Sequence, residues 1–395
     1  MRLVLPAIII FVFISLLTST ARALLRLTNR KIWHIGFLDT LAKYILHTGY
    51  FFYLSFGVFL FWEWKFLLFV SATGLAIVLI ISLILIITLP VSLFINEISR
   101  VKSLKKAGEN KSDFNRDRRI FLKTAAAALP VFTLGTTTNG VANSFQKVRI
   151  PKKEMYFNDL PDPLDEFKIW HLSDLHLGYY FQLDDLERLL LDIENEPVDL
   201  ILITGDVADD LTHLTRTLEL INQKKSSYTP FVSLGNHEYY RGIKEVRKCI
   251  AASPVPLLVN SHHILDVKGT KLLIGALDDP VHMHLDNDNF FKHGLGQVLN
   301  GNPQFNFSIL MSHRPRALNS ASELSINLIL AGHTHGSQIG MNNRSVFENV
   351  LKKSYLWGKY RKGKSQLYTS SGVGHWFPFR LGCPAEAPII TLKKA

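Results

Sequence analysis

The chain has 395 residues, a net charge of +11 and two cysteines, Cys249 and Cys383. This length is enough for two or three domains, and two cysteines are too few for a disulfide framework or a thiolate metal site. Residues 1–150 contain 18 Lys or Arg and 6 Asp or Glu, whereas residues 151–395 contain 26 Lys or Arg and 27 Asp or Glu. Because the basic excess lies wholly in the first part, membrane topology explains it better than phosphate binding, and nucleic acid is excluded as a dedicated partner.

Three apolar segments within residues 1–96 predict a transmembrane region of about three helices. They lie at 3–20, within 41–62 and at 66–95, and a helix needs about 20 apolar residues to cross a bilayer. Lys and Arg are concentrated between the first two segments and again in 97–123. The positive-inside rule therefore predicts that residues 97–123 form a basic cytoplasmic loop.

Residues 124–150 are predicted to be an apolar segment and linker with the character of a twin-arginine export signal, because the pair Arg118–Arg119 precedes them. Two features depart from the usual signal: Asp117 stands where Ser or Thr is usual, and no clear A-x-A cleavage site follows. Pro130 and Gly135 are expected to interrupt the apolar stretch. If it crosses the membrane, as we expect, the rest of the chain is extracytoplasmic, and if it is only a linker the rest is cytoplasmic.

From residue 151 onward, short apolar runs alternate with amphipathic segments. The order βαβαβα over the first part of this region predicts parallel strands covered by helices. Later apolar runs are mostly strands with fewer helices between them, which favours two packed sheets with outer helices. In such folds the functional groups collect beyond the carboxyl ends of the strands.

Residue types that bind metals follow the predicted strands repeatedly. They are Asp174 and His176 in SDLHLG, Asp206 in LITGD, Asn236 and His237 in SLGNHE, His313 in LMSHRP, and His333 and His335 in LAGHTHG. Any one of these motifs is weak evidence, since a lone His-x-His is more often a hydrogen-bonded polar pair. Together, carboxylate, amide oxygen and imidazole form the ligand set of divalent cations such as Mn, Fe and Zn.

In this order the five motifs resemble those of the calcineurin-like metallophosphoesterases, and the likeness covers about residues 167–393. The ending with Arg380 and Pro384 is similar to the bacterial membrane-associated branch of that family. The resemblance implies an α/β fold, a four-layer αββα sandwich over residues 151–395, preceded here by transmembrane helices. It also implies a hydrolase with two divalent cations that acts on phosphate esters.

The resemblance gives each candidate residue a role. One metal ion would be held by Asp174, His176 and His335, the second by Asn236, His313 and His333, and both by Asp206. His237 would be catalytic and face the substrate, and His375 and Arg380 are predicted to contact it. The metal is expected to be Mn, Fe or Zn.

The sequence thus predicts a multi-pass protein of the bacterial inner membrane with an extracytoplasmic catalytic domain. Its substrate would be a phosphomonoester, phosphodiester or pyrophosphate, and its location makes a lipid-linked or envelope substrate one class to test. Two alternatives stay open: a cytoplasmic pyrophosphate hydrolase of the UDP-2,3-diacylglucosamine type, and an inactive membrane sensor or scaffold. The complete ligand set argues against the inactive protein.

Overall fold

The computed structural model describes residues 4–62, 64–105, 113–282, 287–351 and 354–395. The chain divides into two compact units, residues 1–141 and 142–395. Both cysteines are free: Cys383 is buried and Cys249 is partly exposed.

Among its described residues, the first unit contains four α-helices, α1 (Val4–Thr28), α2 (Gly36–Phe61), α3 (Lys65–Lys105) and α4 (Asp113–Ser144), the last of which continues into the second unit. A short π-helix (Asn29–Trp33) follows α1. Two segments, Ile8–Trp33 and Phe69–Ile98, are long and apolar enough to span a bilayer. Only 22% and 28% of their apolar windows are buried. A core helix of a soluble protein would be mostly buried, so these segments indicate membrane association. The predicted second span lies within α2.

Pro130 and Gly135 break the apolar character of this stretch but not its backbone, because α4 runs continuously through both residues. A proline inside a helix removes one backbone hydrogen bond, and the run of four alanines before it strongly favours a helix. The predicted loop 97–123 is also largely helical, since α3 covers its start and α4 its end. Residues 106–112 of that loop lie outside the described residues.

The second unit contains two main sheets and several short helices. In chain order its strands are β1 (Lys152–Phe157), β2 (Lys168–Leu172), β3 (Leu200–Thr204), β4 (Phe231–Ser233), β5 (Ser261–Val267), β6 (Thr270–Ala276), β7 (Phe307–Met311), β8 (Leu328–Ala331), β9 (Gly340–Met341), β10 (Arg344–Ser345), β11 (Gly358–Lys362), β12 (Ser365–Thr369) and β13 (Ile389–Lys394). Its helices are α5 (Leu183–Asp192), α6 (Leu214–Gln223), α7 (Asn236–Tyr240), α8 (Ile243–Ala251), α9 (Asp288–Val298) and α10 (Leu318–Ala321).

The first sheet has the strand order β1-β13-β2-β3-β4, and the second has the order β11-β12-β8-β7-β6-β5. Strands β2, β3 and β4 pair in parallel, as do β12, β8, β7 and β6, while the remaining pairings include antiparallel ones at β13–β2, β11–β12 and β5–β6. A separate two-stranded ribbon joins β9 and β10. The sheets are therefore mixed, with parallel strands at the centre of each.

The two sheets pack face to face, and helices cover their outer faces. Along β3, Leu200 and Leu202 belong to the core between the sheets, whereas Ile201 and Ile203 belong to the core under α5, α6 and α8. This alternation follows from the two-residue period of a strand. Helices α9 and α10 form a third core with the outer face of the second sheet, to which Ile329 contributes. The predicted αββα sandwich is confirmed.

Candidate metal centre

The candidate residues lie where five parallel strands end. Each motif begins two or three residues after β2, β3, β4, β7 or β8. The backbone bends sharply there, since Asp174 (φ 52°), Asp206 (φ 51°) and His333 (φ 70°) have left-handed conformations, as do His176 and His335. A left-handed conformation of a residue other than glycine costs about 1–2 kcal/mol and persists only where neighbouring groups hold it.

The buried carboxylate of Glu238 holds two of these turns together. It accepts hydrogen bonds from the backbone N–H groups of Asp206 at 2.9 Å, Val207 at 2.8 Å and Gly235 at 2.7 Å. Burial and the nearby Asp206 carboxylate raise the pKa of Glu238, whereas the three hydrogen bonds favour its charged form. Glu238 therefore fixes the β3 turn against the β4 turn.

Two glycines are required because backbone and carboxylates approach closely. A Cβ at Gly332 would overlap the Ser173 hydroxyl and the Asp174 carboxylate. A Cβ at Gly235 would overlap the Asp206 carboxylate. Any larger residue at these positions would have to displace a candidate metal ligand.

The first group of donors is formed by Asp174, His176 and His335, all of which are buried. His335 Nε2 lies 3.4 Å from Asp174 Oδ1 and 3.2 Å from His176 Nε2. The other ring nitrogen of His176, Nδ1, lies 3.2 Å from a carboxylate oxygen of Asp209. That contact leaves His176 Nε2 as the nitrogen that faces the group.

The second group centres on His313, whose Nε2 lies 3.2 Å from Asp206 Oδ2, 3.2 Å from Asn236 Oδ1 and 3.3 Å from His333 Nδ1. Its Nδ1 lies 2.8 Å from the carbonyl oxygen of Thr204 and donates its hydrogen there. Arg314 Nη1 lies 3.1 Å from His333 Nε2 and donates to it. The outer nitrogens of both rings are therefore occupied, and the inner ones, His313 Nε2 and His333 Nδ1, face each other.

Asp206 connects the two groups. The same oxygen, Oδ2, lies 3.2 Å from His313 Nε2 and 3.6 Å from His176 Nε2, and Oδ1 accepts the backbone N–H of His237 at 2.9 Å. Burial favours the neutral acid, but His313 and His176 outweigh it and hold the pKa of Asp206 well below its usual value. Asp206 is thus an anion shared by both groups.

The arrangement fits divalent cations. Ligand atoms that lie about 2.0–2.2 Å from one ion are about 3 Å from each other, which is close to the separations above. In addition, three inward-facing histidines have their outer nitrogens in hydrogen bonds, which is how proteins orient metal-binding imidazoles. Asp174, His176, Asp206, Asn236, His313, His333 and His335 all lie in these two groups.

Asp209 is a residue that the sequence analysis missed. Its carboxylate contacts His176 Nδ1 at 3.2 Å, His237 Nδ1 at 2.7 Å and Arg241 Nη2 at 3.1 Å. Burial opposes ionisation, but the hydrogen bonds from His176 and His237 lower the pKa of Asp209. Its spacing of three residues from Asp206, in GDVAD, was the available signal. Asp209 orients His237, which is partly exposed beside the donor groups.

The two residues predicted to contact the substrate, His375 and Arg380, differ in their surroundings. His375 stacks on Tyr180 with ring centroids 5.1 Å apart, and its Nε2 has no hydrogen-bond partner among the described residues. Burial, with a contribution from Arg380, lowers the pKa of His375 to about 3. Arg380 is fully buried and donates to the carbonyl oxygens of Ser371, Gly372 and Gly374. Arg380 therefore positions the 371–383 loop, and its contact with the substrate stays a prediction.

Comparison with known proteins identifies relatives over most of the chain. The family described as calcineurin-like phosphoesterase matches residues 167–337. A Helicobacter pylori protein named as an uncharacterized metallophosphoesterase is 30% identical over 71% of this chain and 74% of its own length. A similarly named Campylobacter jejuni protein is 28% identical over 72% of this chain and 73% of its own length. A Danio rerio protein named "Transmembrane protein with metallophosphoesterase domain" is 26% identical over 67% of this chain and 62% of its own length.

We predict that cation binding releases protons. Burial favours neutral rings, but Asp206 raises the pKa of His313 to about 10, and Asp209 raises that of His176. A cation must displace the His313 proton at neutral pH, so at least one proton should leave per chain and affinity should rise with pH. Titration calorimetry of the full chain with Mn²⁺, in buffers of different ionisation enthalpy, measures this number. The variant His213→Ala, outside both groups, serves as the control, and binding without proton release would contradict the prediction.

Proposed function

Because the chain belongs to the calcineurin-like metallophosphoesterase family, and is therefore a phosphoester hydrolase, we propose that it is a membrane-anchored enzyme with two divalent cations. Asp174, His176 and His335 would hold one cation, Asn236, His313 and His333 the second, and Asp206 both. The observation that carries this proposal is the single Asp206 oxygen within 3.6 Å of both groups. A shared anion is what two closely spaced cations require.

The bound cations would activate a water molecule for attack on phosphorus and neutralise charge on the phosphate oxygens. The protein's own contribution is to fix the ligands and to move a proton. Asp209 accepts from His237 Nδ1 at 2.7 Å, which fixes the orientation of the ring and leaves Nε2 for the substrate. His237 would then donate a proton to the leaving oxygen, a step typically worth about 10²–10⁴-fold in rate.

We predict that two substitutions separate metal binding from proton transfer. In Asp206→Ala the shared anion is lost, so metal content and turnover of bis-p-nitrophenyl phosphate should both fall to background. His237→Ala should keep its metal and lose about 10²–10⁴-fold in kcat. Elemental analysis and steady-state kinetics on the purified full chain measure both quantities.

Asp266→Asn is the matched control, because that carboxylate is exposed and pairs only with Lys271 at 2.6 Å among its described charged neighbours. Retained turnover in Asp206→Ala would refute the assignment. Bound metal without turnover of bis-p-nitrophenyl or p-nitrophenyl phosphate in the wild type would instead favour the inactive sensor. Metal analysis of the wild type also chooses among Mn, Fe and Zn.

We propose that the substrate is lipid-linked or belongs to the cell envelope. The support is that two segments long enough to span a bilayer occur in the same chain as the hydrolase unit. We predict that lipid phosphates or cell-wall polymers are hydrolysed in a Mn²⁺-supplemented panel with higher kcat/KM than nucleotide diesters. Turnover of soluble nucleotides alone would overturn this substrate class. A preference for UDP-2,3-diacylglucosamine would favour the cytoplasmic pyrophosphate hydrolase.

We also propose that the protein is a multi-pass protein of the bacterial inner membrane and that the catalytic unit lies outside the cytoplasm. The support is the Arg118–Arg119 pair at the start of an apolar segment. We predict that Arg118→Lys with Arg119→Lys, which keeps the charge, blocks export of a C-terminal reporter that is active only outside the cytoplasm. Arg116→Lys with Lys123→Arg is the control and should leave export unchanged. Normal export of the double-lysine variant would mean that the pair acts only as positive-inside charge.

A further inference from the structure

A short apolar projection follows the last metal-binding motif. We use this name for residues 339–351. Strands β9 and β10 are joined by Asn342 and Asn343, whose φ angles of 54° and 59° are those of a tight type I′ hairpin turn. A helical turn follows, in which the N–H groups of Val350 and Leu351 donate to the Phe347 carbonyl at 3.0 and 2.9 Å.

The backbone of the apolar projection is anchored to the catalytic unit. The buried Ser345 hydroxyl is hydrogen-bonded to that of Ser337, and the Val346 N–H donates to the Ile339 carbonyl at 3.1 Å. Glu348 accepts from the Tyr360 hydroxyl at 2.7 Å. These bonds give the projection a defined shape, so the exposure of its side chains is a property of the fold.

Its apolar side chains nevertheless face solvent. The exposed fractions of Met341 (67%), Val346 (46%), Phe347 (40%), Val350 (78%) and Leu351 (47%) are all large. Soluble surfaces tolerate single exposed apolar residues, whereas a contiguous group marks a binding surface. Five exposed apolar residues lie within eleven positions of one anchored segment. They therefore form a surface that an apolar partner covers.

The apolar projection borders the candidate metal centre. Gln338, three residues after His335, donates through Nε2 to the Phe377 carbonyl at 3.1 Å. The backbones of Gly340 and Leu381 are also hydrogen-bonded, at 2.8 Å. The projection is thus joined to the loop that carries Trp376, whose side chain is 58% exposed.

The charge around this surface identifies its partner. Residues 338–364 contain seven Lys or Arg and one Glu, although residues 151–395 as a whole contain slightly more acidic than basic residues. Arg344, Lys359 and Arg361 are exposed and donate to backbone carbonyl oxygens. Apolar and Trp side chains next to a basic cluster are complementary to an anionic bilayer. The apolar and Trp side chains enter the interface, and the basic side chains contact the anionic headgroups.

We propose that the apolar projection and Trp376 insert shallowly into an anionic lipid bilayer beside the metal centre. The segments that are long enough to span a bilayer belong to the same chain as this surface. The lipid contact itself is independent of catalysis. Only its consequence, that a lipid-linked substrate enters the metal centre from the bilayer, rests on the proposed function.

The experiment places an environment-sensitive fluorophore at position 350 of the full chain in nanodiscs of anionic phospholipid. The labelled variant is Val350→Cys with Cys249→Ser, and the control carries the label at exposed Lys225 instead. Lipids brominated along their chains should quench the label at 350 by at least about half, because interfacial insertion reaches about 5–10 Å. The control should be quenched little, and neutral lipid should weaken quenching at 350.

Two results would overturn the proposal. Equal quenching of both labels by aqueous iodide would mean that the projection stays in water. Protection of position 350 from both iodide and brominated lipid would mean that protein covers it. Because neither readout requires turnover, failure of the proposed hydrolysis would leave this test unaffected.

A second pair of variants tests the consequence for catalysis. In Val350→Asp with Leu351→Asp, a fluorophore at position 347 should lose its lipid quenching, whereas Val350→Ile with Leu351→Met should retain it. Turnover of soluble p-nitrophenyl phosphate should be equal in both pairs, since neither residue belongs to the metal centre. KM for a phospholipid phosphate in vesicles should rise at least about tenfold in the Asp pair alone. An unchanged KM would refute entry from the bilayer.

Discussion

Two carboxylates, Asp174 and Asp206, are buried where the two sheets end, and the site is organised around their negative charge. A buried carboxylate is strongly destabilising unless hydrogen bonds or opposite charges compensate it. The Asp174 carboxylate accepts hydrogen bonds from the Ser173 hydroxyl at 2.5 Å and from the His333 N–H at 3.0 Å. Asp206 is compensated by imidazole rings from both donor groups. The same compensation is what divalent cations would provide.

This requirement explains the strained backbone. Donor atoms from five strand ends can converge only if the chain turns sharply after each strand, and several of those turns use left-handed residues. Glu238 and Gly235 hold the β3 and β4 turns, and Gly332 lets the β8 turn pass close to Asp174. Buried Glu386 accepts from the Ser371 N–H at 3.1 Å and from Tyr368 and Trp357 Nε1, each at 3.0 Å, and so fixes the start of the 371–383 loop. The rigidity of the site therefore comes from hydrogen-bonded carboxylates behind it.

The sequence predicted those parts of the molecule in which one physical rule dominates. Apolar runs of the right length predicted the central strands, and metal-type residues directly after them predicted which side chains converge. Strands β1 and β11 could not be found in this way, because they lie at sheet edges and are rich in Lys. Asp209 was signalled only by its spacing from Asp206, and its contacts with His176 and His237 are what distinguish it from the neighbouring Asp210. Arg380 was expected at the substrate from the resemblance of the C-terminal ending, whereas in the fold its two Nη atoms donate to backbone carbonyl groups.

Anomalous diffraction from crystals of the metal-loaded full chain would test the central claim most directly, namely that two cations share Asp206. The account predicts two anomalous peaks about 3.5–4 Å apart, with Asp206 bound to both. His176 and His335 should bind one peak, and His313 and His333 the other. A single peak, or two peaks without a common carboxylate, would contradict it.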